Sequence, residues 1–266
     1  MSARILTAVF LLGMPAAART DSPPSADEQA ALIEAVRQKA LDHSQSLTDF
    51  LCTQETRRSV AKAVSGREPV WKPQDTVVIR VSYFKQQEDY RATKVNEKRV
   101  DKTLQQVGGH WTSGEFGSFL KDFFTPSNQA KLRWLRWTMV EARRAAVLSL
   151  RIEQANSDFG TTSRRGLHRE SFNWGLEGEL TVDAETQQVY AVAFHAIDIP
   201  PKRPLTDLRV AITYGYRKIG EKEYLLPVQS ESRIDIYGNA IKAETKFSDY
   251  RKFSSDADIK FEAPAQ

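Results

Sequence analysis

The spacing of apolar residues changes along the chain from a helical period to a period of two. Between Ser25 and about Ser44, apolar residues recur at helical intervals, and Ser25 with Glu28 forms the S-x-x-E capping box that starts many helices. From Leu47 onward, apolar and polar residues mostly alternate, which is typical of strands with one buried face. The pattern predicts an N-terminal amphipathic helix that packs on a sheet.

The first predicted strands follow the helix directly. Residues 46–64 are predicted as a strand, residues 71–75 ("WKPQD") as a turn, and residues 75–84 ("DTVVIRVSYF") as a strand with a strongly apolar face. The letters "KQQE" then turn the chain into a more polar strand from Asp89 to about Lys98. These segments predict a hairpin.

The clearest alternation lies in the last hundred residues. A strand, a polar turn at residues 184–187 and a second strand come first. Three further strands follow, with "GEKE" and then Gly238-Asn239 as the turns between them. The sequence therefore predicts a continuous antiparallel meander in this part of the chain.

Residues 131–153 allow two interpretations. Their apolar residues could lie along one face of a helix, whereas Trp134, Trp137 and the run 147–152 favour two strands that turn near Glu141. The flanking segments have strand patterns, so two strands are preferred and a helix is the alternative.

Phenylalanines are concentrated in the segment "SGEFGSFLKDFFTP". With Ser113 as a cap and Pro126 as the end, this segment is predicted to be a short helix. Its apolar residues repeat at i, i+3, i+4, i+7 and i+8: Phe116, Phe119, Leu120, Phe123 and Phe124. Such a stripe either packs into a core, which is the preferred interpretation, or forms a lid over an apolar cavity.

The last two strands each have one face that mixes large and small residues. Ile234 and Ile236 precede the Gly238-Asn239 turn, Ile241 and Phe247 follow it, and serine, threonine and alanine residues lie between them. Small residues among large ones could leave a cavity beneath a helix. The alternative is that side chains such as Phe119 and Phe123 fill this space.

The amino-acid composition indicates the class of protein and the partners that it excludes. The 266 residues are 41% hydrophobic and 27% charged, with a net charge of +4, which is ordinary for a globular protein. The basic residues form no nucleic-acid-binding module, so no nucleic-acid partner is predicted. The only cysteine, Cys52, has no second cysteine to pair with and is predicted to be a buried thiol.

The N-terminus has the pattern of a secretory signal peptide. Arg4 precedes an apolar run from Ile5 to Met14, and small residues end at Ala18, where cleavage is predicted. A membrane anchor is the less favoured alternative, because a spanning helix needs roughly 20 apolar residues. We therefore expect residues 1–18 as signal peptide, 19–24 as flexible leader and 25–266 as one domain, periplasmic or secreted and not integral to a membrane.

Motifs of catalysis are not found in the sequence. It contains no G-x-S-x-G elbow, H-E-x-x-H helix, phosphate-binding glycine loop or Cys-x-x-Cys pair, so no enzyme, metal or cofactor is predicted. Residues 155–175 are predicted to be a long polar loop with Arg164, Arg165 and Arg169. These arginines are either simply solvated or contact an anionic group at the mouth of a pocket.

The order of elements resembles the periplasmic lipoprotein carriers of the LolA and LolB kind, and the similarly built sigma-factor regulatory protein RseB. The segments "EGELTVDAETQQVYAVAF", "YLLPVQSESRIDIYGNA" and "FSDYRKFSSDADIKF" are similar to the ends of secreted bacterial members of this group. The resemblance implies a mainly β (α+β) fold, in which a strongly curved antiparallel sheet forms an incomplete barrel with helices across its concave face. It also implies an apolar ligand held between sheet and helices.

Together these observations predict a non-catalytic binding protein for a lipid or an acylated protein. The alternative is a module for interaction with another envelope protein or for a sensory or regulatory role. An enzyme comes third and would need two carboxylates that converge in a cleft. The residues predicted to contact the apolar ligand are Phe116, Phe119, Phe123, Ile234, Ile236, Ile241 and Phe247.

Overall fold

Strands dominate the structure, a computed structural model that describes residues 22–64, 68–111, 113–165 and 168–253. The predicted signal peptide and its cleavage position at Ala18 lie outside these residues. The helices are α1 Ala26–Ser46, α2 Leu104–Val107 and α3 Ser118–Phe124. The strands are β1 Phe50–Lys62, β2 Lys72–Phe84, β3 Gln87–Val95, β4 Lys98–Thr103, β5 Lys131–Val140, β6 Arg143–Ile152, β7 Gly160–Arg165, β8 His168–Asn173, β9 Gly175–Asp183, β10 Val189–Ile197, β11 Leu205–Ile219, β12 Lys222–Ile236 and β13 Asn239–Lys252.

Eleven of these strands form one antiparallel sheet in the order β4-β3-β2-β1-β13-β12-β11-β10-β9-β6-β5. In the part of the chain that the structure describes, no pairing joins the two edge strands β4 and β5, so the sheet stays open. The predicted fold class, a curved antiparallel sheet with helices across one face, is confirmed. The meander predicted for the last hundred residues is also confirmed as β9 to β13.

Tight turns connect the hairpins at the positions that the sequence pattern indicates. Two consecutive residues have positive φ in the turn at Lys85 and Gln86 and again at Glu141 and Ala142. Turns of this type match the right-handed twist of the flanking strands. The second turn confirms that residues 131–153 are two strands and not a helix.

Four predictions of local structure are wrong at their boundaries. Residues 72–75 belong to β2 and not to a turn, because they pair with the end of β1. The single strand predicted from Asp89 is two strands, with a turn at Asn96 and Glu97. Residues 155–175 are not a loop, since β7 and β8 pair as a two-stranded sheet of their own.

The fourth correction concerns the phenylalanine-rich helix. It starts after Gly117, which has a φ of 134° and gives no side-chain cap, so Ser113 is not the cap and Phe116 lies before the helix. A glycine tolerates this φ because it has no Cβ. Phe116 therefore faces a different part of the molecule from Phe119 and Phe123.

Helix α1 lies across the concave face of the sheet. Its start carries the predicted capping box, in which the Glu28 N–H donates to Ser25 Oγ at 3.3 Å and the Ser25 N–H donates to Glu28 Oε2 at 2.7 Å. Val36 and Ala40 on its apolar face are buried against the sheet and α3. Within the described residues, no helix has the length and apolar character needed to cross a membrane.

Two hydrophobic clusters occupy the interior. The first cluster lies under α1 and α3 and includes the inward side chains of β6, β9, β10 and β11. The second cluster lies at β1, β2 and β3 and includes Phe50, Phe116 and Phe247. Cys52 belongs to the second cluster, and burial raises the pKa of its thiol, as expected for a buried cysteine of structural character.

Candidate functional site: an apolar pocket on the concave face

A pocket with a volume of about 510 Å³ lies on the concave face beside the first cluster. Four neighbouring strands, β10 to β13, form its floor, because every second residue of a strand points to the same face. The residues of this floor are all apolar: Phe194, Leu208, Val210, Ile234, Ile236 and Ile241. The period-two pattern of the sequence therefore builds this surface directly.

Aromatic side chains form one wall of the pocket. Phe119 of α3 lies edge-on to Phe194 of the floor, with ring centroids 5.7 Å apart. Phe159 and Trp174, at the base of the β7–β8 hairpin, also line the pocket. The indole Nε1–H of Trp174 donates to Thr161 Oγ1 at 3.0 Å, which ties the hairpin to this wall.

The opposite wall is a glycine-rich segment that we call the strap, defined as the described residues Gly108–Trp111 and Ser113–Gly117. Gly109 has a φ of 90°, and a Cβ at this position would lie 2.1 Å from a guanidinium nitrogen of Arg58. Only glycine fits such a close approach without a shift of the arginine. The strap therefore lies directly on the side chains of the concave face.

Arg58 fastens the strap to the sheet. Its side chain is only 2% exposed and holds Asp75 with two hydrogen bonds of 2.7 and 2.5 Å. A third bond of 2.5 Å goes from its Nη1 to the Gly108 carbonyl oxygen, and its guanidinium lies 4.3 Å from the ring centre of Trp111. A buried arginine needs this full set of partners, because an unpaired buried charge is costly.

Under the strap runs a row of buried polar residues that we call the polar belt. Thr56 of β1 and Thr245 of β13 share a hydrogen bond of 2.9 Å, and Gln54 donates to Thr56 at 3.2 Å. The belt consists of Gln54, Thr56, Arg58, Ser230, Ser232 and Thr245. These side chains separate the second cluster from the pocket floor, so the apolar concave surface is divided in two.

His110 connects the strap to the polar belt at the edge of the pocket. Its Nε2 lies 3.1 Å from Ser232 Oγ, and the side chain also lines the pocket. Burial, together with the nearby Arg58 guanidinium, lowers the pKa of His110 to about 4. The imidazole is therefore neutral near pH 7 and can both donate and accept a hydrogen bond.

On the other side of the belt, the second cluster is filled by aromatic rings. Phe116 is fully buried, and its ring centroid lies 5.4 Å from that of Phe50 and 5.4 Å from that of Phe247. Phe50 also stacks on Tyr83 at 5.1 Å and contacts Tyr250 at 5.6 Å. This half of the concave face is a packed core.

A smaller cleft of about 260 Å³ contains Glu88 and Asp122. Burial raises the pKa of both carboxyl groups. Glu88 accepts hydrogen bonds from the Tyr90 hydroxyl, the Gly114 N–H and, at 3.4 Å, the Ser118 hydroxyl. These bonds attach the end of the strap and the start of α3 to β3, which is a structural use of this carboxylate.

The predicted site residues fall into two groups. Phe119, Ile234, Ile236 and Ile241 line the pocket. Phe123 is buried next to it in the first cluster, whereas Phe116 and Phe247 contact each other in the second cluster. Of the seven predicted residues, four therefore line the cavity and a fifth, Phe123, is buried next to it. The other two, Phe116 and Phe247, lie in the second cluster.

The backbones of Arg164 and Arg169 lie opposite each other in the β7–β8 hairpin, and Arg165 lies opposite His168. Their side chains lie outside the described part of the structure, so anion contact by these arginines stays a prediction. The same hairpin supplies Thr161 and Thr162 to the pocket wall.

Sequence reasoning missed Arg58, Asp75 and His110. The alternation in β1 gave a usable signal, because it places Arg58 on the same face as Phe50 and Cys52, where an arginine must find buried partners. The partners themselves lie 17 and 50 residues away along the chain, so the spacing of the residues could not identify them.

Among the described residues, no set of three or more His, Cys, Asp or Glu side chains is arranged to hold a metal ion. The pocket presents apolar surface, hydroxyl groups and one neutral imidazole. Such a lining is suited to holding an apolar or amphiphilic molecule by burial.

The fold and the site together define an open, curved antiparallel sheet with an apolar pocket bounded by α3, the strap and the β7–β8 hairpin. No protein-family model and no curated protein matches the chain. Among solved structures, it is similar to a LolA superfamily protein from Nitrosomonas europaea, with 12% identity and a TM-score of 0.38 over 83% of this chain and 93% of the other.

Two further solved structures are similar over most of their length. One is an outer membrane lipoprotein-sorting protein domain from Vibrio parahaemolyticus, with 11% identity and a TM-score of 0.37 over 86% of this chain and 94% of the other. The other is the lipoprotein LppX from Mycobacterium tuberculosis, with 10% identity and a TM-score of 0.28 over 85% and 97%. The resemblance to LolA-type proteins drawn from the sequence is thus found again in these comparisons.

Proposed function

We propose that this protein binds and carries an apolar or amphiphilic ligand, such as a lipid or the acyl part of a protein, in the pocket of the concave face. The observation that supports this proposal is the cavity of about 510 Å³ with an entirely apolar floor. The ligand is held by burial, without a chemical step. The proposal includes export of the chain through the N-terminal signal peptide expected from the sequence.

The pocket offers enough apolar surface for useful affinity. Each methylene group removed from water contributes about 0.8 kcal/mol, so ten buried methylenes supply about 8 kcal/mol. Part of this free energy is offset by the ordering of the ligand on binding. A dissociation constant between about 1 mM and about 10 μM, which corresponds to about −4 to −7 kcal/mol, is within reach of ten buried methylenes.

A neutral fluorescent probe, N-phenyl-1-naphthylamine, tests the proposal in solution. The purified protein should enhance its fluorescence in a saturable way, and a long-chain alcohol should displace it. Native mass spectrometry of the same preparation should show co-purified lipid or, after extraction, bound added lipid. A protein that binds neither the probe nor any added lipid would overturn the proposal.

A matched pair of variants locates the binding. Val210 lines the pocket, whereas the next residue, Ala211, is exposed on the other face of the same strand. The Val210→Trp variant should fill part of the cavity and reduce probe binding at least tenfold, while Ala211→Trp should bind as the unmodified chain does. Equal binding by the two variants would place the probe elsewhere.

A further inference from the structure

Three connections between strands meet at one end of the sheet: the β1–β2 connection, the β10–β11 connection and the β12–β13 turn. The Ala63 N–H donates to the Gly238 carbonyl oxygen at 3.1 Å, and the Tyr237 N–H donates to the Pro204 carbonyl oxygen at 2.9 Å. These two bonds join the three connections into one surface. We call this surface the rim and define it by its described residues: 62–64, 68–72, 200–204 and 237–239.

The rim adjoins the pocket. Ile236 and Ile241 of the pocket floor lie just before and just after the residues of the β12–β13 turn. Farther along the rim, the guanidinium of Arg203 lies 5.4 Å from the ring centre of Phe172, in the β7–β8 hairpin whose first residues line the pocket. A surface that contacts the rim would therefore lie next to the pocket.

Apolar side chains of the rim are exposed to solvent. Val70 is 84% exposed, and Val64 and Tyr237 are 45% and 43% exposed. None of the three lies within a strand. Exposed apolar residues also occur elsewhere, such as Met139 on β5, so exposure by itself assigns no partner.

Charge distinguishes the rim from the rest of the surface. Among its described residues, four are basic and one is acidic, whereas the whole chain is nearly balanced with 38 basic and 34 acidic residues. The acidic residue, Glu68, accepts a hydrogen bond of 2.7 Å from the Trp71 indole and lies 3.5 Å from Arg233 Nη1. The basic residues are all exposed: Lys62, Lys72, Lys202 and Arg203. The rim therefore presents mainly positive charge to the solvent.

Exposed apolar residues among lysines match the two attractions that hold proteins on an anionic bilayer. The negative potential of anionic lipids attracts basic side chains near the surface. Valine side chains gain by leaving water at the boundary between head groups and acyl chains, and tyrosine is enriched at this depth. A bilayer is also where an apolar ligand concentrates, because it is excluded from water.

We propose that the rim docks on an anionic lipid surface, with Val64, Val70 and Tyr237 at the interface and the basic side chains among the lipid head groups. Docking brings the pocket next to the bilayer from which it takes its ligand or to which it delivers it. The choice of a lipid surface as the partner rests in part on the function proposed above, whereas docking itself is measured without a ligand in the pocket.

Sedimentation with vesicles tests the docking. The full mature chain is mixed with vesicles of phosphatidylcholine alone or of phosphatidylcholine with about 30% phosphatidylglycerol. The anionic vesicles should bind the chain at least about tenfold more tightly, since each lysine at the surface contributes about fivefold. High salt should weaken this binding, because it screens the charges.

Two pairs of charge reversals locate the contact. Lys72→Glu with Lys202→Glu changes two exposed residues of the rim and should weaken binding to the anionic vesicles at least about tenfold. Lys218→Glu with Lys222→Glu changes two exposed residues beside the β11–β12 turn, at the other end of β11, and alters the net charge equally. This control pair should bind within about twofold of the unmodified chain, because charges far from the bilayer are screened.

A fluorescent label tests the insertion of the apolar residues. Cys52, the only cysteine of the chain, is buried, so an added surface cysteine can be labelled selectively. Nitrobenzoxadiazole on Val70→Cys should brighten when anionic vesicles are added, because the label leaves water. The same label on Met139→Cys, an exposed residue outside the rim, should not change.

The outcomes separate this inference from the function proposed above. Equal binding to neutral and anionic vesicles, equal losses in the two lysine pairs, or equal brightening at Val70 and Met139 would overturn the docking surface. A chain that binds N-phenyl-1-naphthylamine but no vesicles also overturns it and leaves the pocket function standing. A chain that binds anionic vesicles through the rim but no ligand in the pocket supports the docking surface and overturns the pocket function.

Discussion

The two halves of the concave face are built from similar strands but have different interiors. At the pocket end of β10 to β13 the floor consists of Phe194 and aliphatic side chains, and a cavity of about 510 Å³ lies over it. Around β1 to β3 the interior is filled by rings, because Phe116 inserts between Phe50 and Phe247. The comparison teaches that the two halves differ in how completely side chains fill the space over the sheet.

The polar belt and the strap mark the boundary between the halves. Buried polar groups seldom stabilise a fold more than apolar groups of the same shape would, so their presence calls for another reason. Here they hold the strap on the sheet through Arg58 and His110. The half around Phe116 is therefore the filled half, and the half with the pocket over β10 to β13 is the open half.

The largest effect is expected in the filled half. Phe116→Ala removes a fully buried ring and leaves a cavity, so the free energy of unfolding should fall by about 3–5 kcal/mol. The matched variant Phe119→Ala, at the pocket wall, should cost only about 1–2 kcal/mol, since its ring is partly exposed. Urea unfolding measures both values, and equal losses would contradict the difference between the two halves.

The second-largest loss of stability is expected at the polar belt between the two halves, where Arg58 pairs with Asp75. Asp75→Ala leaves the Arg58 guanidinium buried without its carboxylate, and the free energy of unfolding should fall by about 3 kcal/mol. Replacing both residues, as Arg58→Met with Asp75→Leu, should restore much of that loss. The exposed pair of Arg57 and Glu55 provides the control, because Glu55→Ala should cost less than about 1 kcal/mol.

The third effect is a pH dependence that His110 adds to stability. Its pKa is about 4 in the folded chain and near 6.5 when exposed, so the unfolded chain binds more protons between these values. The free energy of unfolding should therefore fall, by about 1–3 kcal/mol, as the pH falls from 6.5 to 4. Above pH 6.5 this contribution is complete and constant.

Variants separate His110 from the other groups that titrate in this range. In His110→Gln the loss of stability between pH 6.5 and 4 should be smaller than in the unmodified chain, as measured by urea unfolding at several pH values. His195 is exposed on β10, so His195→Gln should leave the profile unchanged. An unchanged profile in His110→Gln would show that the strap does not bury this imidazole.

The smallest effect is expected from the hydroxyl pair of the belt. Changing Thr56 and Thr245 together to valine replaces two bonded hydroxyls by methyl groups and also removes the acceptor of the Gln54 amide, so stability should fall by only about 1 kcal/mol. Thr56→Val alone should cost more than the double change, because it leaves the Thr245 hydroxyl without its partner as well, whereas Thr245→Val alone keeps the bond from Gln54 to Thr56. Chemical denaturation of the three variants would reveal the opposite order if the pair is not bonded.

The sequence predicted the sheet well because strand patterns are local. Alternation alone located β9 to β13, and the aromatic content of residues 131–153 correctly decided for two strands over a helix. The start of α3 was missed because Gly117 adopts a backbone conformation that no neighbouring residue signals. The β7–β8 hairpin was missed because its strands are short and polar.

The site was only partly predictable for a physical reason. Ile234, Ile236 and Ile241 follow from the period of two, which assigns them to the inner face without any knowledge of distant contacts. The contribution of the strap could not be predicted, since His110 meets Ser232 across 122 residues of sequence. Whether a phenylalanine lines a cavity or fills a core likewise depends on contacts between segments distant in the chain.

Photolabelling tests the division of the concave face most directly. A monoacylglycerol with a diazirine in its chain is bound, activated by light and located by peptide mapping. Labels are expected on residues of the open half, such as Phe119, Val210 and Ile234, and none at Phe50, Phe116 or Tyr250. Labels spread over both halves, or confined to the residues around Phe116, would contradict it.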